Sequence, residues 1–446
     1  MAALTETAEK AVDWLRGQGL EAEVYLSRAE ERGLDRRDGE LDGIQSAVVE
    51  GAGLRLLSEG RMAFACAAGV SLEIVQNLAA QAKEQLPHLQ ADDAKTLPTS
   101  TKAEDKALAS SLWDDSLFSE EWPSVVERLR AAEAAALAAD KRVGSILRAG
   151  YGEARGEVVI ASTRGVVTYE RGGSCSVGLS TLCDSEGDLQ VGSAFHSARR
   201  RGELDWNKVG VDAALRTTAL LGAAKPPTGR RDVIFDPWIA GEFLDLISSL
   251  LCADQVQRGK SLLAGKLGKK VGSPLATFVD DPRRPGGLSS SLFDDEGLST
   301  RRKVMIEAGV VKEFFYDSYT AARERIQSNA SAGRGSYRGL PSPSCSNFYL
   351  QAGGTTRAKL IESTKKGLLV LDVMGMHMAD PISGEFSVGV SGLIVENGQL
   401  GKPVKAAMIS GNLLDLLNRM DAVADDLTFY GSMGAPTFRV ADMTVA

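Results

Sequence analysis

Histidine is scarce in this chain: His88, His196 and His377 are the whole supply among 446 residues. Cysteine is nearly as sparse, and Cys66, Cys175, Cys183, Cys252 and Cys345 are widely spaced with no CxxC pair. These side chains ligate zinc and serve as nucleophiles and bases, so such chemistry has few places to sit. His377 lies in Gly375-Met376-His377-Met378-Ala379-Asp380-Pro381, where Asp380 or Glu385 could join it around a metal. Cys345 served by His377 would make a nucleophile and its base. No GxGxxG follows a strand, and no P-loop, GxSxG elbow or HExxH occurs. Two glycine-spaced runs suit contact instead, Gly333 to Pro341 and Ser383 to Gly392. Alternating glycines let another backbone approach, as an extended peptide added to a sheet edge requires; they equally suit a bulge or tight sheet packing.

The stretch best equipped to position a reactive group is Asp236 to Leu251. Asp236 is an N-cap and Pro237 fits the first helical position. Ile239, Phe243, Leu246, Ile247 and Leu250 recur at helical spacing, and the apolar strand Val233-Ile234-Phe235 leads straight in. Yet this helix carries no histidine, no cysteine before Cys252, and only Glu242 and Asp245 as acids.

Around it the chain alternates mixed elements. Helices are expected near Thr5 to Arg16, Ser71 to Leu86, Pro123 to Ala139 and Asp205 to Leu221. A hairpin turns at Ser58-Glu59-Gly60. Ala91 to Asp105 reads as a polar linker. Residues 143–198 read as a meander of five short antiparallel strands, and Ala223 to Arg230 as a linker. In the second half Asn397-Gly398 is the strongest hairpin signal, and Ser331 to Ser346 is a long Gly/Ser/Pro-rich loop.

Composition is that of a soluble globular protein, 43% hydrophobic and 25% charged. A formal net charge of -8 argues against general nucleic-acid or anionic-membrane binding, which need a positive field. An odd, scattered cysteine set argues against a disulfide framework and for a reducing cytoplasm.

The order of several short pieces is more specific. Gly53-Leu54-Arg55 to Ala65, Phe293-Asp294-Asp295-Glu296-Gly297, Ile306 to Val310, Ser318 to Ala321, Ser383 to Ser387, Val395 to Gly398 and Ile409 to Leu413 together resemble the TldD/TldE (PmbA) family over almost the whole chain. In the TldD-type subunit of that family, the helix opening the C-terminal domain carries HExxxH. Its two histidines and a cysteine near the C-terminus hold zinc, and the glutamate is the base. The corresponding stretch here is near Leu244 to Ser249, and the cysteine region reads Tyr430-Gly431-Ser432-Met433-Gly434-Ala435-Pro436. That is the pattern of the TldE/PmbA-type subunit, although Ser336-Tyr337 and Leu340-Pro341 look more like TldD.

The resemblance implies an α+β fold with an N-terminal α/β region over 1–90, a central antiparallel sheet over 115–222 and a β-rich C-terminal domain over 229–446. It implies a non-catalytic subunit of a cytoplasmic zinc peptidase that trims short or unfolded peptides. No catalytic or metal residue is expected in this chain; zinc is expected in a TldD-type partner. The expected partners are that subunit and peptide, with a homodimer possible when alone, and no nucleic acid or membrane. The residues expected to touch peptide are Tyr337, Gly384, Glu385, Phe386, Ser387 and Gly389. Two other readings remain: a self-sufficient peptidase using an unrecognised metal or Cys345, and a homodimeric peptide-binding scaffold.

Overall fold

The computed structural model describes residues 2–99, 105–185 and 187–446. Residues 100–104 of the expected polar linker, and Glu186 of an expected turn, lie outside the described residues. The N-terminal half is one six-stranded sheet in the order β3-β2-β1-β4-β5-β6. Helix α1 (Ala2–Gly17) is followed by β1 (Glu21–Arg37), β2 (Glu40–Ser58), β3 (Arg61–Ala68) and α2 (Leu72–Gln85). The short α3 (Lys106–Ser111) and α4 (Trp122–Ala139) lead to β4 (Ser145–Ser162), β5 (Val167–Ser185), β6 (Asp188–Ala198) and α5 (Trp206–Ala219). The segments 1–90 and 115–222 therefore meet inside one sheet, where β1 pairs with β4.

Strand alternation decides which face of this sheet is covered. Val24 and Leu26 pack with α1 and α2, and Leu34 packs with α4 and α5. All lie on one face of β1. The opposite face carries many small residues in register, Ala29 and Gly33 on β1, Gly152 and Gly156 on β4, Gly172, Ser174 and Ser176 on β5, Ser197 on β6, with Glu31, Asp35 and Gln45 among them. It forms an open trough with a depression of about 670 Å³ whose lining includes Gly33, Gly152, Ser176, Ser197 and Leu288. The five short strands expected over 143–198 are three long ones. Ala154-Arg155-Gly156 and Arg171-Gly172-Gly173 look like breaks in sequence, but each is paired to its neighbour throughout.

The C-terminal half opens with β7 (Gly229–Phe235) and α6 (Pro237–Leu250). Then come β8 (Phe278–Asp280), β9 (Lys303–Glu307), β10 (Val310–Val311), β11 (Ala332–Gly333), β12 (Ser342–Pro343) and β13 (Phe348–Leu350). The last strands are β14 (Lys366–Met374), β15 (Glu385–Glu396), β16 (Gln399–Asn412), β17 (Met420–Val423), β18 (Thr428–Tyr430), β19 (Met433–Ala435) and β20 (Phe438–Val445). They form sheets ordered β10-β9-β8-β13-β19-β18 and β16-β15-β14-β7-β20-β17. Helix α6 shares one core with both. The Asn397-Gly398 signal is the β15–β16 turn, with φ of 51° and 78°, as a type I′ turn needs.

A buried ionic knot joins the halves. Arg55 of β2 donates to Glu23 of β1 and, at 2.8 Å, to Glu296. Arg334 also donates to Glu23, and the second Glu296 oxygen accepts from the Ser318 backbone N–H at 2.8 Å. Burial works against the Glu23 charge, but the two arginines overcome it and hold that carboxyl below its usual range. Next to Glu296, burial and the Glu296 charge push Asp294 up to about 8, although it accepts three backbone N–H groups.

Candidate functional site

Helix α6 starts as its sequence dictates. The Asp236 carboxylate accepts from the Trp238 N–H at 3.0 Å and is bridged by Arg357 at 2.7 Å. Ile239, Phe243, Leu244, Ile247 and Leu250 face the core, and the Phe243 ring meets Phe235 at 4.9 Å and Phe386 at 5.8 Å. Leu246, expected inward, is only half-buried. Leu244 takes the core position because the apolar face is rotated by part of a turn.

The other side of α6 floors a cleft of about 890 Å³. Trp238, Gly241, Glu242, Asp245, Leu246 and Ser249 line it from the helix. Met376, His377, Ala379 and Pro381 form one lip, and Tyr430 to Met433 the other. Phe195 of β6 completes it, two residues from Ser197 of the trough and on the same face of the strand. Three rings make one wall: Trp238 and Tyr430 lie 4.8 Å apart edge to face, and Phe195 is 5.2 Å from Trp238. Arg216 stacks 4.2 Å over the Trp238 ring and donates to the Tyr430 hydroxyl at 3.3 Å. Burial, with Asp372 close by, pushes the Glu242 carboxyl above its usual range.

Comparison with known proteins identifies this architecture. A PmbA/TldA metallopeptidase domain 1 model matches residues 22–86, the central-domain model residues 116–221, and the C-terminal-domain model residues 228–446. The chain belongs to the PmbA/TldD metallopeptidase family. Metalloprotease PmbA of Escherichia coli O157:H7 is 25% identical over 449 residues, spanning 99% of this chain and 96% of its own. A metalloprotease of Methanocaldococcus jannaschii is 32% identical over 56% of each chain. A Thermotoga maritima protein of known structure superposes with a TM-score of 0.89 at 26% identity, covering 99% of both chains. TldE from Thermococcus kodakarensis superposes with a TM-score of 0.86 at 21% identity over 99% of both.

For a PmbA/TldD-family cleft, the donor set on α6 is the informative feature. It offers two carboxylates and a hydroxyl, and His377 comes from a separate lip. Among the described residues no group of three or more His, Cys, Asp or Glu side chains is placed to hold a metal ion. Zinc held by two histidines and a cysteine does not fit these groups.

The residues expected to touch peptide lie elsewhere. Tyr337 is 4% exposed and packs with Tyr25, Ile160 and Val166, away from the cleft. Its ring covers Gly51, where a Cβ would meet it at 2.3 Å, so it is a contact between the 331–346 loop and β2. Phe386 is also core, against Phe243, and Gly384 sits at a φ of 75° with a Leu262 methyl over it. Glu385, Ser387 and Gly389 alternate onto the open face of β15; none of them lines the cleft. Most of the run 383–392 is paired strand, from Glu385 onward, not loop.

Cys345 and His377 are not brought together. Cys345 lines a polar cavity with Asp280, Lys303 and Ser346, whereas His377 lines the α6 cleft. Burial pushes the Cys345 thiol up to about 11, the reverse of what a nucleophile needs. Sequence reading missed Phe195, Trp238 and Tyr430. Trp238 had a usable signal, since it shares the non-core stripe of α6 with Glu242 and Asp245.

Proposed function

We propose that this chain is the peptide-holding, non-cutting subunit of a cytoplasmic TldD/TldE-type peptidase complex, in which a zinc-bearing TldD-type subunit hydrolyses short or unfolded peptides. The observation that carries this reading is the α6 floor. It lies along a cleft of about 890 Å³ and presents Glu242, Asp245 and Ser249, a poor zinc donor set beside histidine and thiolate. The Gly/Ser-rich trough supports it too, because an extended chain can lie close to a sheet at its glycines.

The test is metal and activity analysis of the chain purified alone and after co-expression with an HExxxH-bearing family member. Zinc and peptide cleavage are expected only in the second sample. Chelator-sensitive cleavage by the isolated chain would sink the reading.

A further inference from the structure

The cleft has a charge character that its role as a peptide holder does not require. Among the described residues its lining includes no lysine or arginine, while Glu242 and Asp245 stand three residues apart on one helical face. Among the described residues neither carboxylate has an ion-pair or side-chain hydrogen-bond partner. A third acid, Asp372, lies near Glu242 and adds to the negative charge there. Beside them stands the ring wall of Phe195, Trp238 and Tyr430. Arg216 already uses one face of Trp238 as a cation seat, and it lies 4.0 Å from Asp236, a carboxylate it shares with Arg357. Leu246, Met376 and Met433 add apolar surface along which an aliphatic stem can lie.

We propose that the α6 cleft selects cationic nitrogen on a peptide, a lysine or arginine side chain or a free amino terminus, by placing it between Glu242, Asp245 and the aromatic wall. The proposal rests on the peptide-holding reading and adds a substrate class to it. Paired carboxylates supply the opposite charge, the rings supply cation–π attraction, and the apolar lip covers the methylenes.

Fluorescence anisotropy of the full chain with labelled hexapeptides tests it. The set is N-acetylated and identical except for a central lysine, arginine, norleucine or glutamate, with one unacetylated norleucine peptide. Lysine and arginine peptides should bind about tenfold tighter than acetylated norleucine, and glutamate weakest. A gain in the unacetylated peptide alone would assign the site to the amino terminus. The double variant Glu242→Lys/Asp245→Lys, at two exposed positions, should reverse the order in favour of glutamate. Equal affinity for lysine and norleucine, or an order unmoved by the double variant, would overturn the proposal while leaving peptide holding intact. If no peptide binds at all, the peptide-holding reading fails first.

Discussion

Two groups of charges in this molecule are built on opposite terms. In the knot between the halves, Arg55, Glu23, Arg334 and Glu296 are buried and each finds an opposite charge. In the cleft, Glu242 and Asp245 are exposed at the floor, and among the described residues neither finds one. A buried charge that loses its partner is strongly penalised, whereas an exposed unpaired charge costs little and remains available to a ligand. The knot's charges are committed to holding two sheets in place. Those of the cleft are free for recognition.

Arg55→Ala strands Glu23 and Glu296 in the interior and should lower unfolding stability by about 3–5 kcal/mol in urea titration. A loss under 1 kcal/mol would mean the knot is solvated. Tyr337→Ala empties the space over Gly51 and should cost about 3 kcal/mol, with no selective loss of peptide affinity. A peptide-binding defect at unchanged stability would restore Tyr337 as a contact residue.

Asp294 sharpens the comparison through pH. Its carboxyl is raised from 3.8 to about 8, so the folded chain keeps a proton that the unfolded chain releases. That contribution is full below about pH 4 and is lost as pH rises through about 8. Stability should therefore fall across this window, and Asp294→Asn should flatten the fall in melts run at stepped pH. The smallest effect is expected in the cleft. Glu242→Gln/Asp245→Asn should leave stability within about 0.5 kcal/mol of the parent, since these side chains hold nothing together. A large loss would place them in the framework instead.

How much of this was legible in sequence follows the same division. Helix α6 could be read because its cap, its proline and its apolar spacing are local signals that agree. The hairpins at Glu59-Gly60 and Asn397-Gly398 could be read from turn chemistry. The long reach of β1 and β2 could not. Residues 27–50 are largely polar on both faces, and their pairing partners are distant in the chain. The cleft was half legible: Glu242 and Asp245 stood out as the acids of α6, but Phe195 and Tyr430 reach the same wall from strands far away in sequence. The burial of Tyr337 was not legible, because a tyrosine among glycines and serines resembles an open loop. Its burial depends on Gly51 and Gly53, which no local pattern connects to it.

The position of β1 at the middle of its sheet has a consequence for synthesis. Val24 pairs with Leu54 on one side and with Ala161 on the other. On the ribosome the first hairpin can close early, but the second flank of a 17-residue strand stays bare until Ser162 has emerged. For that interval the nascent chain carries a long ribbon with open hydrogen-bonding groups, the kind of edge that chaperones cover and that aggregates grow from.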